Sequence, residues 1–218
     1  MRTVLLDGTP PGNDACRQGL DALRRAVSDA GHPLECFSLF ELPMAPCRGC
    51  FACWTATPGR CPVPDAAEVV ARAVINSELT VVFSPLPFGV WNHVVKKALD
   101  RMICLVSPHF VAAGLTRHRK RYPVYPAFLG VGWLPGPDPE AQAVFARLVE
   151  HNAYNLCVPA WRAVVLTGEK PWAASREVCR AALGALEHPD RAGHATGPAG
   201  GIGCARPENP DQSERSRR

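Results

Sequence analysis

The sequence predicts a doubly wound α/β domain, in which a five-stranded parallel sheet carries helices on both faces. Short apolar runs alternate with segments of helical periodicity along residues 1–187, which is the order of consecutive βαβ units. The length of 218 residues suits one such domain and is short for two. A composition with 47% hydrophobic and 20% charged residues is typical of a globular chain.

The predicted strands are short runs of the buried type, and most are followed by a helical pattern. Strands are predicted over residues 3–6, 34–39, 79–84, 127–132 and 163–167. Helices are predicted over residues 16–30, 65–75, 91–106, 139–156 and 172–186. Asp65 is the predicted N-cap of the second helix, since Glu68 completes the spacing of a capping box. Loops are predicted at 43–64, a segment rich in Pro, Gly and Cys, and at 107–125.

The terminal segments and the net charge of the chain indicate where the protein acts and which partners it binds. Residues 188–218 are rich in Gly, Pro and Arg and poor in apolar residues, so we expect a disordered tail after the domain at 1–187. The first apolar run is too short for a signal peptide, and no stretch approaches the roughly 18 apolar residues of a spanning helix. A net charge of +4 suits a small anionic ligand at least as well as nucleic acid. We therefore expect a cytoplasmic protein with neither membrane nor nucleic-acid partners.

The predicted topology indicates which loops to inspect for a ligand. In a doubly wound sheet, ligands bind beyond the carboxyl ends of the strands, where the strand order reverses. The loops predicted at that edge are 7–15, 40–64, 84–91 and 132–138.

The first of these loops reads Gly8-Thr9-Pro10-Pro11-Gly12-Asn13-Asp14. Free backbone N–H groups at a helix N-terminus attract an anion, and the side chains of Thr9 and Asn13 can add hydrogen bonds. The plainer interpretation is a turn in which Asn13 or Asp14 caps the helix and nothing binds. Asp14 counts against a phosphate, because its carboxylate repels an anion.

Four cysteines fall within 15 residues, with the spacing C-x2-C-x2-C-x7-C: Cys47, Cys50, Cys53 and Cys61. A cytosolic protein keeps its thiols reduced, so these cysteines do not indicate a disulfide framework. A 4Fe–4S cluster takes four thiolates, and a tight C-x2-C-x2-C run suits a short loop around one. Structural zinc usually takes two separated pairs, so the spacing favours iron–sulfur over zinc. Free thiols or a redox-active pair stay open.

The third loop, Ser84 to Trp91, is stiffened by two prolines. Gly89 allows its backbone to approach a ring closely, and Phe88 and Trp91 offer flat apolar surfaces. The same two aromatic residues are equally compatible with core or dimer contacts.

The order of these motifs resembles that of NAD(P)H-dependent FMN reductases and is most similar to their iron–sulfur flavoprotein branch. The resemblance covers about residues 2–170 and includes the motifs Ala-Pro-Cys-Arg-Gly-Cys-Phe-Ala-Cys-Trp at 45–54, Ser-Pro-Leu-Pro-Phe-Gly at 84–89 and Lys-Lys-Ala-Leu-Asp-Arg at 96–101. It implies a flavodoxin-like fold, bound FMN, NAD(P)H as co-substrate and a homodimer or homotetramer. For the iron–sulfur branch it also implies a 4Fe–4S cluster.

The resemblance assigns three sets of site residues. The FMN phosphate loop receives Thr9, Pro10 and Asn13. The turn that binds the flavin ring receives Pro85, Leu86, Phe88 and Gly89. The cluster ligands are Cys47, Cys50, Cys53 and Cys61.

Three positions depart from the family pattern. Pro11 stands where an Arg is usual, Asp14 where a small hydroxyl residue is common, and Pro87 where an aromatic residue is common. Because a positive charge is missing near the phosphate, we expect weaker FMN binding than in relatives, or a rebuilt loop.

These observations favour an FMN-dependent oxidoreductase that passes electrons between NAD(P)H or a redox partner and a small acceptor such as a quinone. No catalytic His or Ser constellation is found, and none is required when the flavin carries the chemistry. A cluster-free FMN or quinone reductase and a non-enzymatic redox sensor, metal sensor or electron carrier are the alternatives. His93 and His109 are expected to be surface or packing residues, and the basic run 117–121 a solvated loop.

Overall fold

The structure is a computed structural model that describes residues 1–113 and 115–187. Its main sheet has five strands: β1 (Thr3–Asp7), β2 (Leu34–Ser38), β3 (Leu79–Pro85), β6 (Ala127–Leu134) and β7 (Trp161–Thr167). Their order is β2-β1-β3-β6-β7, and every neighbouring pair is parallel. The predicted flavodoxin-like topology is confirmed, because the order reverses between β1 and β3. The predicted tail at 188–218 lies outside the described residues.

Helices cover both faces of this sheet. The long ones are α1 (Asp14–Asp29), α3 (Ala66–Asn76), α4 (His93–Arg101), α5 (Pro139–Asn155) and α6 (Trp172–Glu187). Alternate strand residues face opposite sides, so Leu5, Val81 and Phe83 pack with α1 and α6. Leu6 and Val82 pack with α3, α4 and α5 on the other face. The predicted N-cap is confirmed, since the Asp65 carboxylate accepts from the Ala67 N–H at 2.9 Å.

Three sequence predictions about loops and helix ends are wrong. The helix predicted over 91–106 spans only α4, after which a 3₁₀ turn (Met102–Leu105) leads into a strand. The segment predicted as a loop at 107–125 contains an antiparallel hairpin of β4 (Val106–Ala113) and β5 (Leu115–Lys120). The cysteine-rich loop contains one helical turn, α2 (Ala52–Thr55).

The hairpin was missed because its stability comes from tertiary contacts that no local pattern reveals. The buried His118 ring lies against Trp54 of the cysteine-rich loop, with 5.3 Å between ring centroids. The Trp54 indole N–H donates to the carbonyls of Ile103 and Val106, both at 3.1 Å.

Among the described residues, no helix is long and apolar enough to cross a membrane.

Candidate functional site

The loop after β1 and the turn after β3 meet at the carboxyl edge of the sheet, as predicted. The Gly8 N–H donates to the Phe83 carbonyl at 2.8 Å. Asn92 joins the two loops, since its side-chain amide donates to the Gly8 carbonyl at 2.6 Å and its N–H donates to the Ser84 hydroxyl at 3.1 Å. The approach is close: a Cβ on Gly8 would lie 2.5 Å from a methyl group of Val95.

Asn92 is a residue that the sequence reasoning missed. Its Oδ1 also accepts from the Val95 N–H at 3.1 Å, which makes it the N-cap of α4. The helix was predicted to begin at Trp91, two residues before its first residue His93, and the signal that identifies the cap is an Asn directly before the helical run. Asn92 therefore sets both the start of α4 and the position of the first loop.

The predicted anion-binding residues occupy this first loop. The Thr9 N–H donates to the Asp7 carboxylate at 2.8 Å. The Thr9 hydroxyl is buried without a satisfying hydrogen-bond partner, although the Cys16 thiol lies beside it. Burial raises the pKa of the Cys16 thiol to about 12, so it stays protonated at neutral pH. A buried, unsatisfied hydroxyl is costly, which makes Thr9 a candidate ligand-binding group.

Asn13 and Pro10 complete this loop. The Asn13 side chain accepts from the Cys16 N–H at 3.0 Å and caps α1, as the plainer interpretation of the loop proposed. The Pro10 carbonyl accepts from the Asn13 N–H at 3.3 Å. Gly12 has φ +76° and open space around it, so the loop is free to receive a ligand there. Asp14 is exposed in the first turn of α1 and keeps a negative charge nearby.

Of the residues in the turn after β3 that were predicted to bind the flavin ring, some are buried in the core and one is exposed to solvent. Leu86 is buried against Gly132 of β6, where an added Cβ would lie 2.3 Å from a Leu86 methyl carbon. Pro85 ends β3, and Gly89 has φ +77° and packs against the backbone of Ala141. Phe88 adopts a left-handed conformation at φ +55° and is 98% exposed. Of the four, Phe88 presents the free aromatic surface.

The four clustered cysteines line one cavity of about 420 Å³. Cys53 is buried, Cys61 is half-buried, and Cys47 and Cys50 are exposed. Burial raises the pKa of the Cys53 thiol, and the three neighbouring cysteines raise it further. In the part of the chain that the structure describes, no group of three or more His, Cys, Asp or Glu side chains converges tightly enough for a single metal ion.

The cavity shares no lining residue with the first loop, but its lining extends to Trp91, just before α4. The cysteine-rich segment leaves the carboxyl edge near Phe40, whose ring meets His93 edge-on. Its cysteines share the cavity with residues late in α4 and α5, including Leu99, Asn152 and Asn155, as well as with Trp91. Both helices begin at the carboxyl edge and run away from it, so their last turns lie toward the opposite edge. None of the residues of the loop 8–14 lines the cavity.

Both ends of the cysteine-rich segment are fixed by one buried ion pair. The Arg101 guanidinium donates to both carboxylate oxygens of Asp65, at 2.8 and 2.9 Å. It also donates to the Ala45 carbonyl at 2.7 Å, and the Ala45 N–H donates back to Asp65 at 2.9 Å. Burial raises the pKa of Asp65, but the hydrogen bonds from Arg101, Ala45 and Ala67 outweigh it and hold the pKa below its usual value.

The basic run, the two histidines and the remaining cysteines lie outside the two loops and the cavity described above. The basic run 117–121 lies mainly on β5, where the Arg117 guanidinium donates to the Cys157 sulfur at 2.8 Å. His93 begins α4, and His109 is exposed on β4. The remaining described cysteines fall into two groups: Cys36 is exposed, and the buried ones are Cys16, Cys104, Cys157 and Cys179.

Comparison with known proteins adds one sequence relative and several structural ones. No protein-family model matches the chain. The chain is 26% identical over 102 residues to an iron–sulfur flavoprotein of Methanocaldococcus jannaschii, a match over 46% of this chain and 51% of that protein. The chain thus spans about half the length of this curated relative.

Solved structures are similar over most of the chain. An NAD(P)H:quinone oxidoreductase from Methanothermobacter marburgensis has a TM-score of 0.62 at 15% identity, covering 89% of this chain and 99% of its own. An azoreductase from Bacillus anthracis has a TM-score of 0.57 at 14% identity, covering 85% and 97%. RosB, with bound 8-demethyl-8-formylriboflavin-5′-phosphate, has a TM-score of 0.60 at 11% identity, covering 88% and 79%. These similarities agree with the strand order, and the chain has the flavodoxin-like α/β fold.

Proposed function

We propose that this protein is an FMN-dependent oxidoreductase that passes electrons between NAD(P)H or a redox partner and a small acceptor such as a quinone. We further propose that Cys47, Cys50, Cys53 and Cys61 hold a 4Fe–4S cluster. The observation that carries the proposal is that these four thiols line one cavity on a flavodoxin-like domain. A cytoplasmic homodimer or homotetramer is part of the same proposal.

The loop after β1 fits the phosphate of FMN in three respects. The buried Thr9 hydroxyl has only the Cys16 thiol beside it, Gly12 leaves open space, and α1 directs the positive end of its dipole at the loop. Asp7 and Asp14 oppose an anion, so the expectation of modest FMN affinity stands. Thr9, Pro10 and Asn13 would hold the phosphate.

The turn after β3 would hold the flavin ring. Leu86, packed on Gly132, supports the turn from below, while Pro85 and Gly89 shape it. Phe88 offers its exposed ring as a stacking surface for the flavin or the acceptor. When bound, FMN supplies hydride and single-electron chemistry, and the protein's part is to bind, orient and shield the ring. His93 and His109 have no assigned part in proton transfer.

The donor set of the cavity fits a cluster better than a single ion. Four thiols of one short loop match the ligand set of a 4Fe–4S centre. The cluster assignment therefore rests on the four thiols and their shared cavity. The names of the similar proteins, an iron–sulfur flavoprotein and an NAD(P)H:quinone oxidoreductase, support both halves of the proposal.

Purification without oxygen tests the proposal. We expect flavin absorption, broad iron–sulfur absorption and about four iron atoms per chain. Cys50→Ser is expected to remove the iron and its absorption while FMN stays bound. The matched control is Cys36→Ser, an exposed cysteine on β2 outside the cavity, which should leave both unchanged. Iron and FMN that persist in Cys50→Ser would contradict the cluster assignment.

A cluster-free flavin or quinone reductase is the second candidate, favoured by the exposure of Cys47 and Cys50. It predicts bound FMN and NAD(P)H oxidation without iron. If neither flavin nor metal copurifies or rebinds, both candidates are wrong. Metal or thiol chemistry without flavin would instead indicate a sensor or an electron carrier.

A further inference from the structure

Arg101 is a buried cation in the wall of the cysteine cavity. Its side chain is 2% exposed, and it lies at the end of α4. Four hydrogen bonds satisfy its two terminal nitrogens: two to Asp65, one to the Ala45 carbonyl and one to the Val63 carbonyl at 3.4 Å. The charge is therefore held in one orientation, because a forked guanidinium fixed at both tips cannot rotate away.

One donor of this group is unsatisfied. The Nε–H of Arg101 is buried and has no hydrogen-bond partner. The guanidinium lies within interaction range of the Cys61 sulfur, which lines the same cavity. A buried donor without a partner destabilises the protein, so a partner in the functional protein is expected. Arg101 itself lines the cavity together with Cys61.

We propose that Arg101 is a positioning residue whose Nε–H donates a hydrogen bond to a sulfur atom of the four-cysteine centre, and that it sets the reduction potential of that centre. The inference rests on the proposed cluster function. Cys61 provides the candidate acceptor sulfur. Asp65 holds the guanidinium in place and does not itself reach the centre.

The consequence for the potential follows from electrostatics. Reduction makes an iron–sulfur centre more negative, and an N–H···S hydrogen bond to one of its sulfur atoms stabilises that form. Arg101 therefore raises the potential relative to a protein that lacks the bond. A purely structural role, in which Arg101 only fixes the loop ends at Ala45 and Val63, predicts no such shift.

The test compares Arg101→Lys with wild type and with the control Arg60→Lys. Arg60 lies in the same cysteine-rich segment, but its exposed side chain pairs with Glu68 at 3.1 Å. Arg101→Lys keeps the charge and lacks the Nε donor. We expect it to retain iron and to disfavour reduction of the cluster tenfold, which is about 59 mV for a one-electron couple. Arg60→Lys should match wild type.

A second measurement needs no Arg101 variant and covers the case in which Arg101→Lys fails to fold. Wild-type protein labelled with [ε-¹⁵N]arginine should show a ¹⁵N hyperfine coupling in pulsed EPR of the reduced centre. Arg48 also lines the cavity and is the other possible source of this coupling. The coupling should therefore persist in Arg48→Lys, which serves as the control. Iron in wild type without the ¹⁵N coupling, or an unchanged potential in folded Arg101→Lys, overturns this inference alone. Wild-type protein without iron–sulfur absorption overturns the cluster proposal and this inference with it.

Discussion

The carboxylate of Asp65 and the guanidinium of Arg101 form a buried, two-pronged ion pair that joins the N-cap of α3 to the end of α4. The two residues are 36 positions apart in the sequence. Their hydrogen bonds to Ala45 and Val63 hold the start and the end of the cysteine-rich segment. An ion pair outside the cysteines therefore holds both ends of the segment.

Asp65→Asn is expected to destabilise the protein by about 3 kcal/mol, because it leaves the buried Arg101 charge without its counter-ion. Urea unfolding at neutral pH measures the change. The control is Glu177→Gln, which removes an exposed pair with Arg180 and should leave the urea midpoint unchanged. Equal midpoints for Asp65→Asn and wild type would contradict the role of the ion pair.

The same pair predicts a pH dependence. The pKa of Asp65 is lower in the folded protein than in the unfolded chain, so its contribution is full above the unfolded-state pKa, near about 3.9. It is lost as the pH falls from there through the folded-state value. The stability difference between wild type and Asp65→Asn should therefore shrink on acidification. A difference that stays constant from neutral pH to about pH 2 would exclude Asp65 as its source.

Gly132→Ala tests the support of the turn that is proposed to bind the flavin ring. The new Cβ would lie 2.3 Å from a methyl carbon of the buried Leu86, so the turn must move. Overpacking of this kind costs about 1–3 kcal/mol, and we expect weaker FMN binding along with the loss of stability. Gly184→Ala, in α6 with open space around its Cβ, should instead stabilise by about 0.5–1 kcal/mol.

Thr9→Val tests the proposed phosphate loop. Valine has the shape of threonine without the hydroxyl, whose oxygen is buried and unsatisfied in the structure. The flavin-free protein should keep or gain stability, whereas FMN affinity should fall about tenfold to hundredfold, the value of a hydrogen bond to a charged group. Quenching of FMN fluorescence measures the affinity. The control is Thr80→Val, at the opposite end of the sheet, which should leave FMN affinity unchanged. If Thr9→Val binds FMN as tightly as wild type, the assignment of Thr9 to the phosphate is wrong.

Phe88→Asn separates a functional aromatic ring from a structural one. The ring is almost fully exposed, and Asn tolerates the left-handed backbone at this position, so folding stability should change little. If the ring stacks on the flavin or the acceptor, its loss should raise the Kd for FMN or the KM for a quinone about threefold to tenfold. Phe110→Asn, an exposed aromatic residue on the hairpin, should alter neither constant. Unchanged binding in both variants would leave Phe88 without a role in the site.

The sequence by itself determined the features that depend on neighbouring residues. The five parallel strands followed from short apolar runs, and the cap at Asp65 followed from the spacing to Glu68. The cysteine spacing brought four thiols into one short segment, which a loop of that length cannot separate widely. Asn92 also carried a local signal, but the helix start was placed two residues too early.

Only the tertiary structure decided where these local features meet. The hairpin of β4 and β5 depends on Trp54, more than 50 residues away along the chain from His118. The cysteine cavity is lined by Trp91 and by late residues of α4 and α5, which are far from the cysteines in the sequence. Arg101 is polar in sequence and buried in the fold because Asp65 compensates its charge. Such pairs are separated in sequence and adjacent only after packing, and packing is decided by the whole core rather than by any local pattern.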